Sequence, residues 1–339
     1  MSNYPDTKKH NTLPKVLRYR AETIPTTIAL RDKDLGIWNE ITWKEYHEIV
    51  SYLALGLAKR GFKLGDVIGL IGDNKPSWLF FELAAQAAGG MSLGIYRDTL
   101  DDEVGYLIEA AKVNFAFAED QEQVDKLLTI KRTKNNKITI FYEDSRGLKE
   151  LNDPHIIDMV QLINEGKAIA AKNQNSYNKL IDSIHADQNA ILCTTSGTTS
   201  NPKLAMLPGG KFIEHVVRYL NVDPKTIEDE YVSVLPFPWI MEQTYAVGFN
   251  IIGGMKVNFP ERPETAMEDM REIGPTFMLG APRLWEQIAA DMRSRILDAP
   301  KITQWLFNVM LKRGLKAVDE GKRDFLADKL LFSSLKDRL

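Results

Sequence analysis

Residues 65–88 read GDVIGLIGDNKPSWLFFELAAQAA. Val67–Ile71 is an unbroken apolar run, as expected of a strand buried on both faces. Gly72, Asp73 and Asn74 end it with turn-forming residues. Pro76 then stands where a first helical turn accepts proline. Phe80, Leu83, Ala84 and Ala87 recur at helical spacing. The stretch predicts strand, turn and helix in that order. Upstream, Tyr46, Ile49, Val50, Leu53, Ala54 and Leu57 mark an amphipathic helix, and Gly61 and Gly65 bracket the turn from it into the strand.

The alternation continues outward. Residues 115–117 predict a strand, 121–128 a helix and 137–142 (KITIFY) a strand. Residues 143–188 are more polar and read as a helical connecting region. A second series starts at Asn189, with strands over 190–193, 204–207, 231–235, Lys256–Phe259 and 276–279. Helices are expected over 212–220 and 242–252, and from 282 to 335 the pattern is nearly all helical, broken near Pro300 and Gly321. This alternation argues for an α/β fold with mostly parallel sheet and helices on both faces. The expected organisation is a first lobe with its connecting region over 12–180 and a second lobe from 181 to 339.

Composition narrows the function classes. The chain has 339 residues, 44% hydrophobic and 26% charged, with net charge -3, which suits a globular protein large enough for more than one lobe. No apolar stretch is long enough to span a bilayer. The N-terminal MSNYPDTKKHNTLPK lacks the apolar core of a secretory signal. Cys193 is the single cysteine, so no intrachain disulfide forms, which fits a reducing, cytoplasmic setting. Peripheral contact with a membrane is left open. No basic block dense enough for nucleic acid occurs. His10, His47, His155, His185 and His215 have no second ligand at metal-binding spacing, which argues against zinc hydrolase chemistry. No G-x-S-x-G elbow is present, which argues against an α/β-hydrolase.

The chemistry-bearing stretch is 193–204, CTTSGTTSNPKL. It follows a predicted strand. Thr194, Thr195, Ser196, Thr198 and Thr199 surround Gly197, with Ser200 and then Lys203 beyond. Glycine lets successive backbone N–H groups face one anion, hydroxyls add donors and can reach Mg²⁺, and lysine adds a mobile charge. It is not a Walker A loop: Pro202 stands in place of the second glycine and Leu204 in place of Ser or Thr. On composition alone a hydroxyl-rich surface turn is the competing reading.

TSGTTSNPK resembles the signature loop of the adenylate-forming superfamily, which includes acyl-CoA synthetases, luciferases and peptide-synthetase adenylation domains. That family usually has Gly where Ser200 stands and often Gly where Leu204 stands. Further segments are similar to it: Ile41-Thr42-Trp43 with Tyr46, then 61–74 followed by Trp78. Gly94-Ile95-Tyr96-Arg97, 103–106 and 119–126 resemble the long-chain acyl-CoA synthetase branch. The likeness covers about residues 12–335. For Trp43, Tyr46 and Trp78, plain packing is the better reading.

The resemblance implies two flavodoxin-like lobes. It also implies activation of a carboxylic acid, foremost a long-chain fatty acid, by ATP and Mg²⁺ to an acyl-adenylate, then transfer to coenzyme A. It assigns Thr195, Ser196, Gly197, Thr198, Thr199 and Lys203 to the ATP phosphates. Lys203 and Thr198 are the catalytic candidates, and Thr198 is the hydroxyl expected nearest the metal.

Leu235–Glu242 (LPFPWIME) matches the next family motif, with Trp239 where long-chain synthetases often have His. Trp239 could wall an acyl channel. Glu242 could orient the site or simply favour a helix start. Gly280-Ala281-Pro282-Arg283 resembles a further family segment, with Arg283 as a candidate charge or an ordinary ion-pair partner. The family's adenine, ribose and C-terminal lysine motifs do not occur before Leu339. A truncated, inactive front portion with an incomplete second lobe and no lid is therefore expected. The alternatives are one subunit of a split synthetase with a complementing chain, a non-catalytic nucleotide or acyl binder, and a ligase for another carboxylic acid.

Overall fold

The computed structural model describes residues 4–133, 137–149, 151, 153–195 and 202–336. They form two compact units, 1–261 and 262–339. Of the phosphate-loop candidates, Ser196, Gly197, Thr198 and Thr199 lie outside the described residues; Thr195 and Lys203 lie inside.

The first unit opens with helix α1 (Leu13–Thr23) and a hairpin of β1 (Ile28–Asp34) and β2 (Ile37–Thr42). Leu35 and Gly36 turn it with φ of 49° and 76°, the positive pair a tight hairpin requires. Helix α2 (Trp43–Lys59) starts at a capping box: Thr42 Oγ1 accepts from Glu45 N, and the Glu45 carboxylate accepts from Thr42 N at 2.8 Å. Next come β3 (Val67–Ile71), α3 (Pro76–Ala87), β4 (Met91–Ile95), α4 (Asp101–Ala110), β5 (Phe115–Ala118), α5 (Gln121–Thr133) and β6 (Thr139–Tyr142). β7 (Ile156–Asp158), α6 (Met159–Lys172) and α7 (Ser176–Asp182) follow. The unit continues with β8 (Asn189–Thr195), β9 (Lys203–Pro208), α8 (Gly209–Val222), β10 (Glu230–Val232), a helix α9 over 240–253 and β11 (Lys256–Phe259).

The strands build two sheets. Seven run in the order β7-β6-β5-β3-β4-β8-β9, and four in the order β10-β11-β1-β2. The larger sheet is parallel except for β9, which runs antiparallel to β8. This is the mixed, parallel-dominated α/β architecture expected. Its core is apolar and close-packed: Phe81 of α3 stacks on Phe117 and Phe141, with ring centroids 4.5 and 5.7 Å away. Trp43, Tyr46 and Trp78 are buried in it.

The sheets do not divide at 180/181. β8 and β9 extend the sheet built from residues before that point, because β8 pairs with β4. β10 and β11 join the N-terminal hairpin instead of forming a sheet of their own. The polar stretch 143–188 also supplies a strand, β7, paired with β6. The expected strand over 231–235 ends at Val232.

Most of α9, Gln243–Gly253, is wound as a wide π-helix. Its carbonyl end needs partners, and buried Arg20 of α1 supplies them, donating to Ile251 O at 3.1 Å and Ile252 O at 2.5 Å. Gly254 follows with φ of 86°, closing the helix in the left-handed region.

The second unit is helical: α10 (Ala266–Ile273), α11 (Pro282–Leu297), α12 (Lys301–Asp319) and turns over 325–336. Met310, Ala327 and Leu331 form its small core. The expected strand over 276–279 does not form: only an isolated bridge occurs, at Phe277.

Candidate active site at the carboxyl edge of the sheet

Parallel strands point their carboxyl ends to one edge, where α/β sheets bind ligands. β3 ends there in Gly72-Asp73-Asn74, β4 in Tyr96-Arg97 and β5 in Glu119. β8 ends there in Thr194-Thr195, and β9 starts opposite, with Thr195 in register with Lys203. Thr195 Oγ1 donates to Lys203 O at 3.4 Å. Tyr106 of α4 holds the far side of the turn by donating from its hydroxyl to Pro202 O at 3.2 Å. Both described candidates of the loop, Thr195 and Lys203, therefore face each other across the base of one hairpin. Both are exposed.

A second segment reaches the same edge. Asn74 donates from Nδ2 to Ser233 Oγ at 2.8 Å and to Leu235 O at 2.6 Å, and its Oδ1 accepts from Phe237 N at 3.3 Å. Phe237 stacks on Trp78 at 5.5 Å. Gly94 at the end of β4 admits Pro238: a Cβ there would lie 2.8 Å from Pro238 Cα. Glycine is needed for this approach. Trp239 comes next and is 37% exposed.

Glu242 is not at the first residue of its helix, which begins at Ile240, and it is fully buried. Its carboxylate accepts from Tyr231 Oη at 2.6 Å and Ser233 Oγ at 2.5 Å. Burial pushes this carboxyl up to about 8, and the two hydrogen bonds only partly offset that. With Asn74 it forms one chain, Tyr231–Glu242–Ser233–Asn74, tying the end of β3 to the 233–242 segment. Arg283 is the second residue of α11, in the second unit, and is exposed.

Several site-shaping residues are not among the sequence candidates. Asn74 is one. Glu82, fully buried in α3, is another: it accepts from Gln243 Nε2 at 3.1 Å and from Ser92 Oγ at 3.3 Å, and burial lifts it to about 7. Its sequence signal is a lone carboxylate in an otherwise apolar helix. A shelf of charges lines the edge beside β3 and β5. Arg97 pairs with Asp73, Glu119 accepts from Asp73 N at 2.6 Å, and Lys75 lies 3.5 Å from Glu119. Burial raises the carboxyls of Asp73 and Glu119. These shelf cations are spent on carboxylates. Lys203 has no ion-pair partner among the described residues, so its charge is available to an anion.

A model of the AMP-binding enzyme family matches residues 17–318. The chain belongs to the AMP-binding enzyme family. Among curated relatives, it is 26% identical over 346 residues to the long-chain-fatty-acid–CoA ligase ACSBG2 of Rattus norvegicus, covering 97% of this chain and 51% of that protein. It is 27% identical over 328 residues to human ACSBG1, covering 92% and 44%. The chain thus spans about half the length of the curated relatives it matches.

Among solved structures, the adenylation domain of a carboxylate reductase from Mycobacterium chelonae superposes with a TM-score of 0.73 at 16% identity, covering 92% of this chain and 54% of that one. A putative long-chain-fatty-acid CoA ligase from Rhodopseudomonas palustris gives 0.62 at 17% identity, covering 80% and 63%. These structural likenesses establish the fold. Among the described residues, no helix is long and apolar enough to cross a membrane.

Proposed function

We propose that the protein carrying this chain activates long-chain fatty acids, and that this chain holds the polyphosphate of ATP at the β8–β9 turn. The carboxylate attacks the α-phosphorus, acyl-adenylate forms and pyrophosphate leaves. The thiol of coenzyme A then displaces AMP. The observation that carries the reading is Lys203, exposed opposite Thr195 at the carboxyl edge and without an ion-pair partner among the described residues. A lysine there neutralises charge as pyrophosphate separates.

Ser196, Gly197, Thr198 and Thr199 complete the cradle in this reading, with Thr198 nearest Mg²⁺. The described residues contain no cluster of three or more His, Cys, Asp or Glu side chains fit to cage a metal. Mg²⁺ in this reading is carried chiefly by the phosphates, as is usual for that ion. Trp239 walls the acyl side of the site. The fatty acid chemistry is drawn from the relatives named above, and the cytoplasmic setting from the sequence.

The test is ATP titration by calorimetry. Lys203→Ala should weaken binding roughly ten- to a hundredfold, as expected for loss of a charged contact. Identical heats for wild type and variant would overturn the assignment of the loop.

A further inference from the structure

Gln243, in the first turn of α9, grips the chain before it in two places. Its backbone N–H donates to Trp239 O at 3.2 Å. Its side-chain Nε2 donates to Phe237 O at 3.0 Å. Trp239 N in turn donates to Pro236 O at 2.9 Å. Trp239 therefore sits in a turn whose carbonyls at 237 and 239 both depend on Gln243, while Asn74 holds the chain just before it.

Glu82 of α3 orients the Gln243 amide. Nε2 has two hydrogens: one goes to Phe237 O, the other to Glu82 Oε2 at 3.1 Å. The amide oxygen is buried and has no hydrogen-bond partner among the described residues. The side chain is thus held by its nitrogen alone. Glu82 also accepts at Oε1 from Gln86 Nε2 and from Ser92 Oγ, each at 3.3 Å.

The carboxyl is fully buried, and burial lifts it to about 7. The titratable groups that face it are the Tyr46 hydroxyl of α2 and the Cys193 thiol of β8, both kept neutral by burial. α3 carries no other charged residue, and β3 and β4 carry none. Arg20 of α1 is turned to the carbonyls of α9, Asp32 of β1 lies by Lys75 and Glu143, and Glu242 is turned to Tyr231 and Ser233.

The two forms of Glu82 bond differently. The carboxylate draws on Gln243 with a charge-assisted bond, about twice as strong as a neutral one. The acid keeps only the neutral bond and has an O–H to place. Ser92 Oγ can accept it, because the Ser92 hydroxyl also lies 3.4 Å from Ala190 O of β8 and can turn its own proton there. Protonation thus shifts the hold of Glu82 from the turn to the sheet. A cavity of about 10 Å³, lined by Glu82, Ser92, Gln243 and Pro238 among others, leaves these side chains room to adjust. Ionisation lowers the stability of the whole unit, as a buried charge does, while tightening this one contact.

We propose that Glu82 is a positioning residue: its carboxylate locks Gln243 and so fixes Trp239 at the carboxyl edge, and its protonation loosens that turn. The acyl role of Trp239 rests on the reading proposed above. The lock itself does not, and it is measured without ATP or fatty acid.

The test is fluorine NMR of the chain labelled with fluorotryptophan, with Trp239→Phe and Trp78→Phe assigning the two signals. Trp78 lines the same cavity as Glu82 and reports its ionisation. In wild type both signals should shift in one step centred near pH 7. Glu82→Gln keeps the shape and stays neutral, so it should erase the step and leave Trp239 at its low-pH position throughout. Gln243→Met should erase the step at Trp239 but keep it at Trp78. Glu242, lifted to about 8, is the other carboxyl near this turn, so Glu242→Gln is the control and should keep the step. A wild-type Trp239 signal that does not move through neutral pH would overturn the proposal. So would a Trp239 step that survives Glu82→Gln or Gln243→Met, or one that vanishes in Glu242→Gln. Lys203→Ala should leave the step unchanged, so failure of the loop assignment is told apart from failure of the lock.

Discussion

Helices α3 and α11 begin alike and end up in opposite surroundings. Each has a proline in its first turn and no side-chain cap. Every residue of α3 is buried, and none of α11 is. α3 lies against the seven-stranded sheet, in contact with β3 and β4, and its aromatics interlock with those of β5 and β6. α11 belongs to the helical unit, whose core is small, and Leu297 near its end is 73% exposed. Local signals start a helix in both places. The sheet decides which helix becomes structure that the rest of the unit depends on.

The comparison breaks or sharpens in four measurements, the largest first. Phe81→Ala in α3 should cost about 3–5 kcal/mol in denaturant unfolding, since it leaves a cavity between two stacked rings. A loss under 1 kcal/mol would mean α3 is not the buried pillar described here. Asn74→Ala, just before α3, removes the three hydrogen bonds that Asn74 makes to the 233–237 segment. It should cost about 1–3 kcal/mol, because carbonyl and amide groups are left unpaired. It should also raise protease sensitivity near Trp239.

Glu82, inside α3, predicts a pH dependence. Burial raises its carboxyl from 4.5 to about 7 in the folded chain. The folded state keeps a proton in that window that the unfolded chain releases, so stability falls as pH rises from 4.5 to 7 and levels off above. The slope from one such group is at most about 1.4 kcal/mol per pH unit. Glu82→Gln should flatten the profile; an unchanged slope would remove Glu82 as its source. The smallest effect belongs to α11, where Leu297→Ala should stay within about 0.5 kcal/mol. A larger loss there would show that α11 is covered in solution.

Much of the larger sheet is legible in the sequence, because β3, β5 and β8 are short apolar runs buried on both faces. The hairpin of β1 and β2 is harder to see. Its residues IALRDKD and IWNEIT mix charge with apolar side chains, and the turn rests on Leu35 at positive φ. β7 has three residues and exists only because β6 is there to pair with it. The pairing of β8 with β4 is hidden for the same reason: it joins residues about a hundred apart, which no local pattern encodes. At the site, Lys203 and Trp239 are legible from their motifs. Asn74 reads as a turn residue and Glu82 as a helix residue, since their partners at 233–243 are distant in sequence.

The parallel pairing of β1 with β11 sets an order of events during synthesis. Leu30, Arg31 and Asp32 find their partners only at Val257, Asn258 and Phe259. At ribosomal speeds roughly 10–45 s separate the two strands. Through that interval the β1–β2 hairpin has an open side, on which a stray strand could add. Arg31, Asp32, Lys33 and Asp34 stand along it in sequence, four charges in a row. Arg31 later pairs with Glu230 of β10 at 2.9 Å, so a charge that deters wrong neighbours early helps fix the right ones late.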